Sequence, residues 1–153
     1  MMAVDTNVLV RFLTNDDPAQ AERAARLFQN EAVFMAKTVL LETEWVLRHA
    51  YDLSRETINA AFCKLLGLPG VSVEDMPAIG KALAWHAAGL DFADALHLAA
   101  GGRGVRRFVT FEQDFVSGPR TCRIMREFRW LDASAFLPVE MTDRRGPLTR
   151  ALP

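Results

Sequence analysis

Acidic residues at five positions could together carry out metal-assisted chemistry. They are Asp5, Glu42, Asp94 and, after the last apolar segment, Glu112 and Asp114. Carboxylates packed together repel one another, so a cluster is costly unless a cation lies inside it. Oxygen-only ligand sets without Cys or His suit Mg²⁺ or Mn²⁺. An ion held by such a set lowers the pKa of a bound water and stabilises charge on a phosphoryl group, which is the chemistry of phosphodiester hydrolysis.

The elements that must position these acids are short apolar strands alternating with amphipathic helices. This alternation is typical of a parallel α/β sheet with right-handed crossovers. In such sheets, sites form at the carboxyl edge, where strands end and the following helices begin. The pattern predicts strands in residues 1–7, Ala32–Ala36, Val71–Val73 and Arg106–Thr110, a short helix or turn at Val8–Leu13, and helices at Pro18–Asn30, Thr38–Tyr51, Ser54–Leu66, Met76–Ala88 and Asp91–Ala100. All five acids then fall at this edge.

Several acids also have simpler structural interpretations. Asp5 could merely cap a turn or a helix, since Asp is a preferred residue at both. Asp91 is favoured as a helix cap, and Asp114 could cap a helix before Phe115 rather than enter a site. Glu44 is interpreted as a solvated or salt-bridged helix residue, which leaves Glu42 as the better candidate of the two.

We expect structural rather than functional roles for His97 and for the tryptophans. His97 lies three residues after Asp94 and could reach the rim of a site, but a packed or hydrogen-bonded role is favoured. The tryptophans are favoured as core or interface residues, and they are Trp45, Trp85 and Trp130.

Length and composition bound the class of protein. The chain has 153 residues, is half hydrophobic and carries a net charge of −1, which is ordinary for a globular domain. We expect a single domain over residues 1–133 and a tail over 134–153. No apolar run approaches the roughly 20 residues of a membrane span, and no signal-peptide pattern is present. With two cysteines, the chain is expected in the reducing cytoplasm.

The motifs around the acids resemble the PIN-domain family, most closely its VapC-type toxin ribonucleases. The resemblance spans residues 2–116 and rests on Val4-Asp5-Thr6-Asn7-Val8-Leu9, Val39-Leu40-Leu41-Glu42 with Trp45-Val46-Leu47, Asp91-Phe92-Ala93-Asp94-Ala95-Leu96-His97-Leu98-Ala99, and Val109-Thr110-Phe111. It implies a Rossmann-like, three-layer α/β/α sandwich with a mainly parallel sheet. It also implies a Mg²⁺- or Mn²⁺-dependent endoribonuclease with an RNA substrate and a cognate antitoxin. The implied assembly is a homodimer or a toxin–antitoxin hetero-oligomer, with no membrane partner.

The family's site residues map onto this chain as follows. Asp5, Glu42 and Asp94 match the first three acids of the family, and Asn7 and Thr110 match polar positions beside them. The fourth acid is usually Asp, and Glu112 stands at that position, with Asp114 as the alternative. The implied metal ligands are Asp5, Glu42, Asp94 and Glu112. Residues 118–153 depart from the family pattern.

Two other functions are compatible with parts of this pattern. A catalytically degenerate PIN fold serving as a binding or scaffold module is favoured by Glu112 and opposed by the intact Asp5, Glu42 and Asp94. An aspartyl-phosphate phosphatase also begins with an Asp at a strand end, but it needs a second Asp where this chain has Asn7.

Overall fold

The computed structural model describes residues 1–101, and the structural findings below concern that part of the chain. Within it, three strands alternate with six helices. The elements are β1 (Met2–Ala3), α1 (Thr6–Thr14), α2 (Pro18–Asn30), β2 (Val33–Met35), α3 (Lys37–His49), α4 (Arg55–Leu66), β3 (Val71–Val73), α5 (Met76–Ala87) and α6 (Phe92–Ala100). The strand expected at Arg106–Thr110 and the tail over 134–153 lie outside the described residues.

The three strands form a parallel sheet in the order β1-β2-β3, as the alternating pattern predicts. Ala3 lies opposite Phe34, and Phe34 lies opposite Ser72. Parallel strands end at the same edge of a sheet. Asp5 after β1 and the start of α3 after β2 therefore both lie at the carboxyl edge. The expected carboxyl edge is therefore present.

Side-chain caps explain where five of the six described helices begin. Asp17, Ser54, Asp75 and Asp91 accept hydrogen bonds from backbone N–H groups of the helices that follow, as expected of N-cap residues. Asp5 does the same for α1, accepting from the Val8 N–H at 2.9 Å. Asp5 is thus a helix cap and a residue of the carboxyl edge at once. Because Asp5 caps it, α1 begins earlier than expected and β1 is short.

The core lies between the sheet and the helices. Met35 of β2, Leu40 of α3, Phe62 of α4 and Phe92 of α6 are fully buried. The Phe62 and Phe92 rings pack with their centroids 5.8 Å apart. Burying one such side chain contributes about 1.5–3 kcal/mol, so this cluster fixes α3, α4 and α6 against the sheet.

The buried face of α3 corrects two expectations. It consists of Leu40, Thr43, Glu44 and Leu47, at the three- and four-residue spacing of one helical stripe. Glu44 is therefore salt-bridged but buried rather than solvated. Trp45 falls outside the stripe and is 56% exposed, so a core position for it is wrong.

Two further aromatic side chains can be compared with expectation. Trp85 of α5 is buried, which confirms its core interpretation. His97 is exposed on α6, which contradicts a packed position. Trp130 lies outside the described residues. Among the described helices, none is both long enough and apolar enough to cross a bilayer.

Candidate functional site

Asp5 and Glu42 line the same cleft, although they come from different elements. Asp5 caps α1 at the end of β1, and Glu42 lies in the second turn of α3. The cleft has a volume of about 380 Å³, and Asn7 from the first turn of α1 also lines it. We call this space the acidic cleft. Its described lining residues are Asp5, Thr6, Asn7, Val10, Arg11, Val39, Glu42, Val46, Ala50 and Tyr51.

A buried hydroxyl group orients Glu42 in the acidic cleft. The Thr6 Oγ1 donates a hydrogen bond to Glu42 Oε2 at 2.5 Å. Thr6 itself is only 8% exposed, so its position is set by packing. A hydrogen bond from a fixed donor to a carboxylate is stronger than one between neutral groups and restricts the carboxylate's orientation. Thr6 therefore links the first turn of α1 to Glu42 across the cleft.

Asp94 lies in the first turn of α6 and is partly buried. It is not among the residues that line the acidic cleft. Its neighbour Ala93 does line a second cavity, of about 320 Å³, together with Glu42 and Trp45 of α3. The start of α6 thus lies beside Glu42, on the side facing this second cavity.

The donor chemistry of the acidic cleft suits a hard divalent cation, but residues 1–101 supply only part of a ligand set. Among contacts within residues 1–101, the hydrogen bonds of Asp5 and Glu42 each use one carboxylate oxygen, which leaves the second oxygen of each without a hydrogen bond to that part of the chain. Within the described range, no three His, Cys, Asp or Glu side chains are arranged so that they could hold an ion. The remaining candidates, Thr110, Glu112 and Asp114, lie outside the described residues.

Arg48 joins the helix that carries Glu42 to the helix that carries Asp94. Its Nε lies 3.0 Å from Glu44 Oε1, and its Nη2 lies 3.0 Å from Asp91 Oδ2. Asp91 is the N-cap of α6, so this bridge fixes the start of that helix against α3. Sequence reasoning did not single out Arg48. The signal available was its spacing four residues after Glu44, which places both on one helix face.

Burial dominates the electrostatics of Glu44. Removal from water raises the pKa of the Glu44 carboxyl, and the positive charge of Arg48 opposes that rise. The Nε of Arg48 and the Oε1 of Glu44 are at ion-pair distance but are not aligned for a hydrogen bond. Their interaction is therefore a charge interaction, supplemented by a long 3.4 Å hydrogen bond from Nη2 to Oε2.

His86 of α5 lies against the same buried carboxyl, with its Nε2 3.6 Å from Glu44 Oε1. The Asn59 amide donates to the Leu83 carbonyl at 3.3 Å, so its Oδ1 faces His86 Nδ1 at 3.0 Å as an acceptor. This arrangement assigns the proton to Nδ1. Burial and the nearby charge of Arg55 lower the pKa of His86 to about 4, so the ring is neutral near pH 7.

Comparisons with known proteins bear on the fold that holds these residues. A crystal structure of the Mycobacterium tuberculosis VapC20 toxin, described as sarcin–ricin loop cleaving, is 23% identical and covers 78% of this chain and 95% of its own. Its TM-score is 0.39, and a likeness at that level decides neither fold nor activity. No curated protein gives a significant match. The family model for the PIN domain matches residues 2–119, close to the extent of the motifs in the sequence. This match covers well over half of the chain and confirms the expected PIN-like α/β/α fold, so the chain belongs to the PIN-domain family.

Proposed function

We propose that this protein is a metal-dependent endoribonuclease that hydrolyses RNA phosphodiester bonds, as the toxin of a VapC-type toxin–antitoxin pair. The observation that carries the proposal is the acidic cleft, in which Asp5 and Glu42 meet from two separate elements. Membership of the PIN-domain family supports it. So does the VapC-like order of motifs around Asp5, Glu42 and Asp94.

The proposed ligand set combines described and undescribed residues. Mg²⁺ or Mn²⁺ would be held by Asp5, Glu42 and Asp94, completed by Glu112 or Asp114. Bound there, the ion would lower the pKa of a water and stabilise charge on the phosphoryl group. Asn7 and Thr110 would hydrogen-bond the water or the substrate beside these acids.

The chain's own contribution is to hold two carboxylates in place before substrate arrives. The Val8 N–H at the start of α1 fixes Asp5, and the helix terminus favours negative charge there. The Thr6 hydroxyl fixes Glu42. Groups fixed in this way need little reorganisation during the reaction, which is how a protein lowers the barrier electrostatically.

The toxin assignment carries two expectations about partners. A cognate antitoxin would silence the nuclease, and the assembly would be a homodimer or a toxin–antitoxin hetero-oligomer in the cytoplasm. The exposed Trp45 on α3 is the described side chain best suited to such a protein contact, since aromatic residues are enriched at the centres of interfaces.

RNA cleavage tests the proposal. We expect the full-length protein to cleave RNA with Mg²⁺ or Mn²⁺, and we expect Asp5→Asn and Asp94→Asn each to lower the rate by at least about 100-fold, as for removal of a transition-state stabilising group. Asn caps a helix about as well as Asp, so Asp5→Asn preserves the start of α1. Glu22→Gln, on the exposed face of α2, is the matched control for loss of one negative charge. Cleavage by both Asn variants at the wild-type rate would overturn the assignment.

A catalytically degenerate PIN fold that serves as a binding module is the second candidate. The observation in its favour is that residues 1–101 alone bring no three metal-ligating side chains together. The two candidates differ in whether metal binding depends on Asp5, which a titration with Mn²⁺ measures.

A further inference from the structure

A cluster of three polar side chains lies beside the acidic cleft, and two of them, Arg11 and Tyr51, line it. The Arg11 Nη1 forms an ion pair with Asp16 Oδ2 and donates to the Tyr51 hydroxyl at 3.3 Å. The Tyr51 hydroxyl in turn donates to Asp16 Oδ2 at 2.6 Å. We call these residues the arginine cluster. They tie the end of α1 and the following loop to the end of α3.

The arginine cluster and the acidic cleft form one continuous surface. Arg11 and Tyr51 line the same space as Asp5 and Glu42. Arg11 lies four residues after Asn7 in α1, which places the two side chains on the same face of the helix. Among the described residues that line the cleft, Arg11 is the only cation. A negatively charged chain entering the cleft would therefore meet it one helical turn from the proposed reaction site.

Arg11 retains hydrogen-bond donors after its contacts within the cluster are formed. Both described contacts to Asp16 and Tyr51 use Nη1, which leaves Nη2 and Nε for another acceptor. The side chain is 31% exposed, so a ligand can reach it. The planar guanidinium presents its donors in a fork that matches two phosphate oxygens. Asp16 and Tyr51 hold this fork in a defined orientation.

Asp16 is suited to the role of an anchor for Arg11. Hydrogen bonds from Tyr51 and Arg11 hold the pKa of the Asp16 carboxyl well below its usual value, so it remains ionised over the working range of pH. An ionised Asp16 keeps the guanidinium in one place. The remaining donors are thus presented to the cleft without the conformational search that a free arginine requires.

We propose that Arg11 binds a backbone phosphate of RNA adjacent to the one that is cleaved, and that Asp16 and Tyr51 position its guanidinium. The proposal rests on the proposed ribonuclease function and adds the residue that holds the substrate strand along the cleft. The competing explanation is that the cluster only stabilises the loop between α1 and α2. The two explanations differ in how Arg11 and Asp16 variants bind RNA.

Equilibrium binding of RNA tests the proposal without relying on cleavage. The probe is a short fluorescein-labelled single-stranded RNA of mixed sequence, titrated with the full-length Asp5→Asn protein and followed by fluorescence anisotropy over a range of salt concentrations. Adding Arg11→Gln should weaken binding by roughly tenfold, in the range for loss of one charge-assisted hydrogen bond. It should also reduce the slope of log Kd against log salt by about 0.7, the value for one contact to single-stranded nucleic acid. Arg11→Lys should restore the slope but only part of the affinity, because it keeps the charge and loses the fork.

Asp16→Asn separates phosphate binding from a merely structural role. A structural role predicts that Arg11→Gln and Asp16→Asn lower the melting temperature together and leave the salt slope unchanged. Phosphate binding predicts that Arg11→Gln lowers both the RNA affinity and the salt slope, because it removes the cation. Asp16→Asn keeps the cation and loses its anchor, so it should leave the salt slope unchanged and weaken RNA binding less than Arg11→Gln does.

Arg26→Gln is the matched control for loss of a positive charge. Arg26 lies on the exposed surface of α2, where it pairs with Glu22, outside the acidic cleft. Its substitution should leave affinity and salt slope close to those of the parent. Equal effects of Arg11→Gln and Arg26→Gln would overturn the proposal, as would an Asp5→Asn protein that binds no RNA. Failure of the nuclease function is a separate result, because it is read from RNA cleavage by the wild-type protein.

Discussion

The hydroxyl of Thr6 donates to the carboxylate of Glu42 at 2.5 Å and thereby joins α1 to α3 across the acidic cleft. Thr6→Val removes this donor and keeps a similar side-chain shape. We expect Mn²⁺ affinity and RNA cleavage to fall roughly 10- to 100-fold, the range for loss of a partner that orients a metal ligand. The free energy of unfolding should fall by only about 1 kcal/mol, the net contribution of one hydrogen bond.

Two variants make the Thr6 prediction specific. Thr6→Ser keeps the hydroxyl and should retain most of the activity. Thr57→Val removes an exposed hydroxyl in the first turn of α4, where it contacts Ser54, and should leave cleavage unchanged. If Thr6→Val cleaves RNA as fast as Thr57→Val, Thr6 does not orient Glu42 for the reaction.

Removal of Arg48 should destabilise the protein far more than removal of a comparable surface arginine. Arg48→Met leaves Glu44, which is 1% exposed, without its cationic partner. We expect the free energy of unfolding to fall by roughly 2–4 kcal/mol, since an uncompensated buried charge is costly and Arg48 itself is partly exposed. Urea denaturation measures this change.

The chain contains a matched pair for this experiment. Glu22 and Arg26 have the same spacing on α2, but both side chains are about two-thirds exposed. Arg26→Met should therefore lower stability by less than about 0.5 kcal/mol. Adding Glu44→Gln to Arg48→Met should recover part of the loss, because the buried charge is then gone. Equal losses for Arg48→Met and Arg26→Met would show that the Glu44–Arg48 pair does not stabilise the fold.

His86 should make stability depend on pH between its unfolded and folded pKa values. Its pKa falls from 6.5 to about 4 in the folded protein, so the unfolded chain binds the proton more tightly. The stabilisation is fully present above pH 6.5 and is lost as the pH falls towards 4. Over this window the loss should amount to roughly 3 kcal/mol at most.

The pKa shift of Glu44 changes stability with pH in the opposite direction, so its effect must be separated from that of His86. Burial raises the pKa of Glu44, so its contribution grows as the pH falls towards its unfolded value of 4.5. The quantity to compare is therefore the slope of stability against pH in the wild type and in His86→Gln, with exposed His49→Gln as control. A slope that His86→Gln leaves unchanged would contradict a buried, neutral His86.

Local sequence signals were enough for most elements of residues 1–101. Ser54 and Asp91 act as caps where expected, because N-capping depends on the residue type and the N–H groups that follow it. The parallel sheet was also predictable, because helices separate each strand from the next and supply the crossover connection that parallel strands need. The role of Asp5 was harder to predict. An Asp at the end of a strand can cap the next helix, line a site at the sheet edge, or do both.

The side chains of α3 mark where sequence reasoning was insufficient. Hydrophobicity assigns Trp45 to the core, but the buried stripe contains Thr43 and Glu44 instead. Glu44 is tolerated there because Arg48 lies four residues later and reaches Asp91 on another helix. That second contact depends on tertiary packing, which the local pattern does not encode.

Calorimetric titration with Mn²⁺ measures most directly whether the acidic cleft is a metal site. We predict a saturable binding heat for the wild-type protein that is lost in Asp5→Asn and in Glu42→Gln. The heat should persist in Glu22→Gln, which removes the same charge from the exposed face of α2. A wild-type protein that gives no binding heat, or an Asp5→Asn variant that binds Mn²⁺ as tightly as wild type, would contradict the assignment of a metal site to the acidic cleft.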